Sequence, residues 1–222
     1  MCTGMGFPGY VKKLAIAAAL LTAPALPQNT GSPVGIFEAR ANVGTAALPG
    51  SVHYAAVTGE YTITGSGGNL WGKVDGFYFL WKRVSGDFTL TADIRVRPGS
   101  SPQSHIHRKG ALMVRQELTP GSVYADAAVH GDGSAALQFR AAADDVTAEI
   151  KPDVTAPATV RIERRGNRFT MSYAAKPGDP MVAAAPQVVE MNDPVYAGIA
   201  VCAHKADALE TVHFSNVRFE QR

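Results

Sequence analysis

From Tyr54 onward, apolar side chains recur at every second position in short runs, and Gly, Pro, Asn and Asp separate the runs. That is the pattern of antiparallel strands buried on one face. Phe88, Leu90, Ala92, Ile94 and Val96 fall on one side of an extended chain, and Asp87, Thr89, Thr91, Asp93 and Arg95 on the other, because strand side chains alternate in direction. Gly110, Leu112 and Val114 alternate in the same way with Lys109, Ala111, Met113 and Arg115. Val123, Ala125, Ala127 and Val129 oppose Tyr124, Asp126, Ala128 and His130, and Leu137 and Phe139 oppose Gln138 and Arg140. Gly131-Asp132-Gly133 and Gly166-Asn167 are tight reversals, since glycine reaches the positive φ that such turns need. Strands are also predicted over 158–165, 168–173, 196–203 and 211–219, the last two bringing Ile199, Val201, Val212 and Phe214 to the core. Sustained helical periodicity is absent. About ten strands at this spacing make a sandwich or a barrel.

The beginning of the chain reads differently. Lys12 and Lys13 precede the apolar run Leu14 to Leu21, and Ala23-Pro24-Ala25 supplies small residues at the −3 and −1 positions of a signal peptidase site. The expectation is a signal peptide over 1–25, a flexible segment over 26–34, one domain over 35–222, and a protein exported to the periplasm or the extracellular space. The apolar run is well short of the roughly 20 residues that span a bilayer, so no membrane association is expected after cleavage. Processing removes both N-terminal lysines and takes the formal charge from +2 to zero. That argues against nucleic acid as a partner, because phosphate neutralisation needs clustered surplus cations. Cys202 is then the only cysteine left, which rules out an intramolecular disulfide and leaves stability to the core.

Six segments together carry a resemblance: GSGGNLW (65–71), SGDFTLTADI (85–94), HRKGALMVRQ (107–116), YADAAVHGDG (124–133), RIERRGNRF (161–169) and GIAVCAH (198–204). The chain from about Gly35 to Glu220 resembles poorly characterised bacterial concanavalin A-like domains, found alone or attached to TolB-like proteins. The resemblance implies an all-β, two-sheet antiparallel β-sandwich of the concanavalin A-like jelly-roll kind. It also implies a saccharide-binding groove on the concave sheet face. Activity is not implied, since one scaffold carries lectins, binding modules, glucanases and keto-glycoside hydrolases.

The polar sides of the central strands supply the candidate groove: Arg115, Tyr124, Asp126, His130, Gln138 and Arg140, with Lys109 and Met113 beside them, and His204 if Val201 points inward. Such side chains recognise sugar hydroxyl pairs, and an aromatic ring stacks on the apolar face of a pyranose. Trp71, Trp81 and Tyr124 are the candidate platforms, although Trp81 alternates with Phe77 and Phe79 and also fits a buried face. A solvated antiparallel face is the competing explanation for the whole set.

The leading expectation is a secreted carbohydrate-binding or glycan-processing accessory module. Two alternatives stand beside it: a keto-glycoside hydrolase or lyase using His130 and His204, with Asp126, as acid and base, and a cell-envelope protein-interaction domain. The Glu-x-Asp-x-x-Glu motif of laminarinase-like enzymes is absent, and Asp126 and Glu163 are the only carboxyls that invite pairing for glycoside hydrolysis. His105 and His107 alternate and could ligate a transition metal, but lack an evident third ligand, so no metal site is assigned. Calcium is a weaker option: Asp132, Asp144, Asp145, Asn192 and Asp193 fall in turns, where turn chemistry alone accounts for them. Cys202 reads as a small buried hydrophobe. Oligomeric state is not legible.

Overall fold

The computed structural model describes residues 1–2, 32–99 and 104–221. The predicted signal peptide and most of the predicted flexible segment lie outside the described residues.

Among the described residues fifteen strands follow one another: β1 (Ala39–Gly44), β2 (Ser51–Ala55), β3 (Glu60–Gly67), β4 (Gly76–Val84), β5 (Phe88–Val96), β6 (Lys109–Arg115), β7 (Tyr124–His130), β8 (Ala135–Arg140), β9 (Ala148–Ile150), β10 (Thr159–Arg165), β11 (Arg168–Ala174), β12 (Val182–Ala183), β13 (Gln187–Val188), β14 (Val195–Cys202) and β15 (Lys205–Gln221). They form two antiparallel sheets. The first has the order β1-β4-β14-β6-β7-β8-β9, and the second the order β12-β11-β10-β5-β15-β3-β2, with β13 added beside β11. The expected two-sheet sandwich is therefore present.

The alternation read from the sequence decides what lies between the sheets. Leu112 and Val114 of β6, Ala125, Ala127 and Val129 of β7, and Ile199 and Val201 of β14 face Leu90 and Ile94 of β5, Ile162 of β10, and Val212 and Phe214 of β15. Each large apolar side chain removed from water contributes roughly 1.5–3 kcal/mol. Gly110 belongs to this interior. A Cβ there would sit 2.6 Å from Val212 Cγ1 and 3.0 Å from Ile94 Cγ2, so the missing side chain lets the sheets approach. The turns behave as expected: Gly166 (φ +55°) closes β10 onto β11, and Gly133 (φ +87°) belongs to the reversal from β7 to β8.

The first sheet departs from simple one-sided burial. All seven residues of β6 and all seven of β7 are buried, on both faces. A second apolar cluster covers the face turned away from the core, with Phe77, Phe79 and Trp81 of β4, Met113 of β6, Tyr124 and Ala128 of β7, and Cys202 of β14. Trp81 stacks on Phe79 with ring centroids 5.5 Å apart, so it is a packing residue of this outer face. Cys202 is fully buried here, and burial pushes its thiol up to about 11.

Candidate functional site

The outer face of the first sheet has two ends with different chemistry. At one end Tyr124 pairs in register with Arg115 on one side and Arg140 on the other. This places two guanidiniums on one face within two strand spacings. Their charge is met by Asp75, from the segment leading into β4. Arg140 grips it with both terminal nitrogens, at 2.7 Å to Oδ1 and 2.8 Å to Oδ2. Arg115 Nη2 lies 3.3 Å from Oδ2. All three side chains are sealed from solvent, at 0 % exposure.

Backbone carbonyls complete the cluster. Arg115 donates to Glu117 O and Thr119 O, both at 2.6 Å. Arg140 donates to Pro120 O, Ser122 O, Asp145 O and Gly72 O. The Tyr124 ring lies 5.1 Å from the Arg140 guanidinium carbon. Arg115, Tyr124 and Arg140 thus hold loops together, and none of them lines the pocket described next.

Segment 68–75 runs along the face as a strap. Asp75 anchors one end in the arginine cluster. Gly72 O accepts from Arg140 Nη2 at 2.9 Å and from Thr147 N at 3.0 Å. Further along, Leu70 O accepts from Lys109 Nζ at 3.3 Å. Trp71 stands between these two fixed carbonyls and keeps 39 % of its surface exposed. A large aromatic side chain held by a braced backbone and left partly in water is unusual for a packing residue.

Beyond the strap, at the other end of the face, a cavity of about 310 Å³ opens. Its lining includes Asn69 and Trp71 of the strap, Lys109 of β6, His130 of β7, Gln138 of β8, Glu149 of β9, His107 and His204. Lys109 pairs in register with His130, and Gln138 pairs with Glu149. Alternation therefore delivers these side chains to one face. His204 arrives from the turn between β14 and β15, where its backbone adopts φ +59°. Left-handed backbone at a non-glycine residue costs of order 1–3 kcal/mol and is concentrated at functional sites.

The histidines form a group along the rim. His105 and His204 have ring centroids 3.8 Å apart, and His107 lies 5.8 Å from both His130 and His204. His130 Nδ1 lies 3.2 Å from Ser134 O. A carbonyl can only accept, so Nδ1 carries the proton and Nε2 is left as the acceptor. Burial, then the neighbouring Lys109 charge, lowers His130 to about 4. Burial, then His105 and Lys109, does the same to His204. Both imidazoles are neutral at pH 7. Among the described residues no group of three or more His, Cys, Asp or Glu side chains is arranged to hold a metal ion.

Asp126 lies on the same face but outside the cavity lining, fully buried, with no well-formed hydrogen bond to either carboxyl oxygen and only a weak contact with the Gln138 backbone. Burial raises its carboxyl to about 8, with Lys109 pulling the other way. Six buried side-chain polar atoms lack a partner among the described residues, and four of them belong to Asn69, Asp126 and His204. An unmet buried polar group costs about 1–3 kcal/mol, and two of these three residues, Asn69 and His204, line the cavity.

Of the residues expected from the sequence, the structure gathers His130, Gln138 and His204 at this cavity and leaves Asp126 outside its lining. Glu163 is on the outer face of the other sheet, ion-paired with Arg165 at 2.8 Å, and has no access to Asp126. Asp75 and the strap residue Asn69 went unread. Both sit in Gly-rich text that signals turns; Arg115 and Arg140 were expected on a groove-lining or solvated face, where no carboxylate partner is required. Lys151, ion-paired with Glu149 at 2.9 Å, comes from a short edge segment with no periodicity to read.

No protein-family model matches the chain, and no curated protein matches it in sequence. Solved structures match it in fold. A functionally unknown protein from Saccharomyces cerevisiae superposes with a TM-score of 0.61 at 17 % identity, covering 79 % of this chain and 94 % of that one. Lectin II from Ulex europaeus gives a TM-score of 0.49 at 10 % identity, over 83 % of this chain and 98 % of the lectin. An alginate lyase from Klebsiella pneumoniae gives 0.47 at 10 % identity, over 77 % and 84 %. The likeness is one of fold: the two-sheet antiparallel β-sandwich is shared with the Saccharomyces cerevisiae protein.

Proposed function

We propose that the protein is an exported glycan-binding module that takes a saccharide in the cavity between Trp71, Lys109, His130, Gln138 and His204. One observation carries this reading: an exposed indole on a braced strap faces hydrogen-bonding groups delivered by three neighbouring strands and a turn. A sugar ring needs both, an apolar platform for its C–H face and paired donors and acceptors for its hydroxyls. The cavity volume of about 310 Å³ is at the small end of the range for ligand sites. Arg115, Tyr124 and Arg140 act at a distance, by fixing the strap on which Trp71 stands.

A glycan-array screen with and without calcium tests the reading. The expected result is selective binding that Trp71→Ala weakens roughly tenfold, the scale of 1.4 kcal/mol, with folding intact. Silence across the array contradicts it. A second reading, turnover of the bound glycan by hydrolysis or elimination, rests on the neutral imidazoles of His130 and His204 at the cavity, although a pKa near 4 makes each a weak base at neutral pH. Product analysis on any glycan that binds separates the two.

A further inference from the structure

The geometry points to an acidic saccharide as the ligand, with the carboxylate of a uronic acid seated against the Lys109 ammonium; this rests on the saccharide-binding reading above. Lys109 is only 3 % exposed, yet it lines the cavity. Its Nζ has two acceptors, Leu70 O and Gln138 Oε1, each at 3.3 Å. Both are neutral, both are longer than the usual 2.9–3.0 Å for N–H···O, and an ammonium has three donors to place. Among the described residues no carboxylate lies within ion-pair distance of it.

A buried cation without a counter-charge costs several kcal/mol, so the charge missing from this cavity is a negative one. The neighbouring acid does not supply it. Asp126 stands on the adjacent strand but makes no ion pair with Nζ, and burial raises its carboxyl to about 8, which works against its carrying the negative charge. Glu149 is already matched by Lys151. His130 and His204 add no charge at pH 7 but offer nitrogen partners around the same point. The arginine cluster at the far end of the face shows the contrast: there the sequence provides Asp75 for its buried cations, whereas here the cation is left facing a cavity.

A ligand carboxylate would accept from Nζ and from the Gln138 amide, which is a two-point fit that a neutral hydroxymethyl group cannot reproduce. Charge-assisted hydrogen bonds are about twice as strong as neutral ones.

The test compares the purified protein's affinity for oligogalacturonate and oligomannuronate with that for the same oligomers after reduction of their carboxyls to alcohols, and for a sulfated galactan free of uronate. The expected result is at least tenfold tighter binding of the uronates than of the reduced oligomers, a difference that Lys109→Met abolishes while thermal unfolding stays cooperative. The wild-type comparison decides the matter even if that variant fails to fold. Equal binding of intact and reduced oligomers overturns the acidic-ligand inference and leaves the saccharide reading in place. Binding of the sulfated galactan as tightly as the uronates overturns the carboxylate assignment. Failure of every oligomer, together with silence on the array, overturns both.

Discussion

The two sheets turn different outer faces to the surroundings, although both are antiparallel and both pack on the same core. The second sheet behaves as alternation dictates. In β10 the residues that do not face the core are half-buried polar ones, and Arg161 Nε reaches Thr91 Oγ1 of β5 at 3.1 Å; between β3 and β15 the same outer face carries Thr64 with Thr211 at 2.9 Å and Thr62 with His213 at 3.0 Å. Among the described residues one buried polar atom of this face, His213 Nε2, lacks a hydrogen-bond partner, against four at Asn69, Asp126 and His204. In the first sheet, β6 and β7 are buried on both faces, under the 68–75 strap and the loops pinned by Arg115 and Arg140. Burial there brings charges and polar atoms out of water, and the molecule answers them fully at one end and incompletely at the other. In the proposed reading, the covered face, with unmet polar groups beside a cavity, is the one that receives the ligand.

The largest effect should come from removing the charge that the two buried arginines share. Asp75→Ala leaves both guanidiniums uncompensated and should cost about 3–5 kcal/mol, read as a fall in the denaturation midpoint at unchanged slope. A loss below about 1 kcal/mol would mean that the cluster does not brace the strap. By contrast, Glu163→Gln on the outer face of the second sheet should move stability by no more than about 0.5 kcal/mol.

A pH series sharpens the contrast next. His130 and His204 have folded pKa values near 4, below the ordinary 6.5. The unfolded chain then binds more protons between those values, and stability is lost as pH falls through them. Asp126 runs the other way: its folded pKa near 8 lies above the ordinary 3.8, so its contribution is present at low pH and lost as pH rises toward 8. These two imidazoles, joined by His105 and His213 whose pKa values are also lowered, outweigh one carboxyl below 6.5, and the carboxyl dominates from there toward 8. The thermal midpoint should therefore peak near pH 6.5, and Asp126→Asn should flatten the decline on the alkaline side. An unchanged alkaline limb in that variant would show that Asp126 is not the titrating group.

Trp71→Ala should produce the smallest change in stability, within about 0.5 kcal/mol, because the indole is partly in water while the strap backbone is held by its own carbonyls. Its effect belongs to binding. A stability loss comparable to that of Asp75→Ala would make Trp71 a packing residue.

The fold was legible in the sequence wherever a strand buries one face. The runs around Phe88, Leu112, Ala125 and Val212 were placed correctly, and the 166–167 hairpin needed only its turn pair. The same alternation put His130, Gln138 and Asp126 on a common face. It did not say that this face would be covered, because periodicity assigns a side but not its neighbours. Arg115 and Arg140 therefore looked like ligand-binding residues as much as Lys109 did, and only the arrival of Asp75 from a Gly-rich segment separates structural cations from the one facing the cavity. The strap has no periodicity at all; its path is set by bonds to residues far along the chain.

The most direct test follows the imidazole resonances during titration with a glycan that binds. His130 and His204 report on the cavity, while His213 reports on the outer face of the second sheet. Saturable shifts are expected at His130 and His204, with His213 unmoved. Shifts confined to His213, or none at any of the three while the glycan binds, would contradict binding in the cavity.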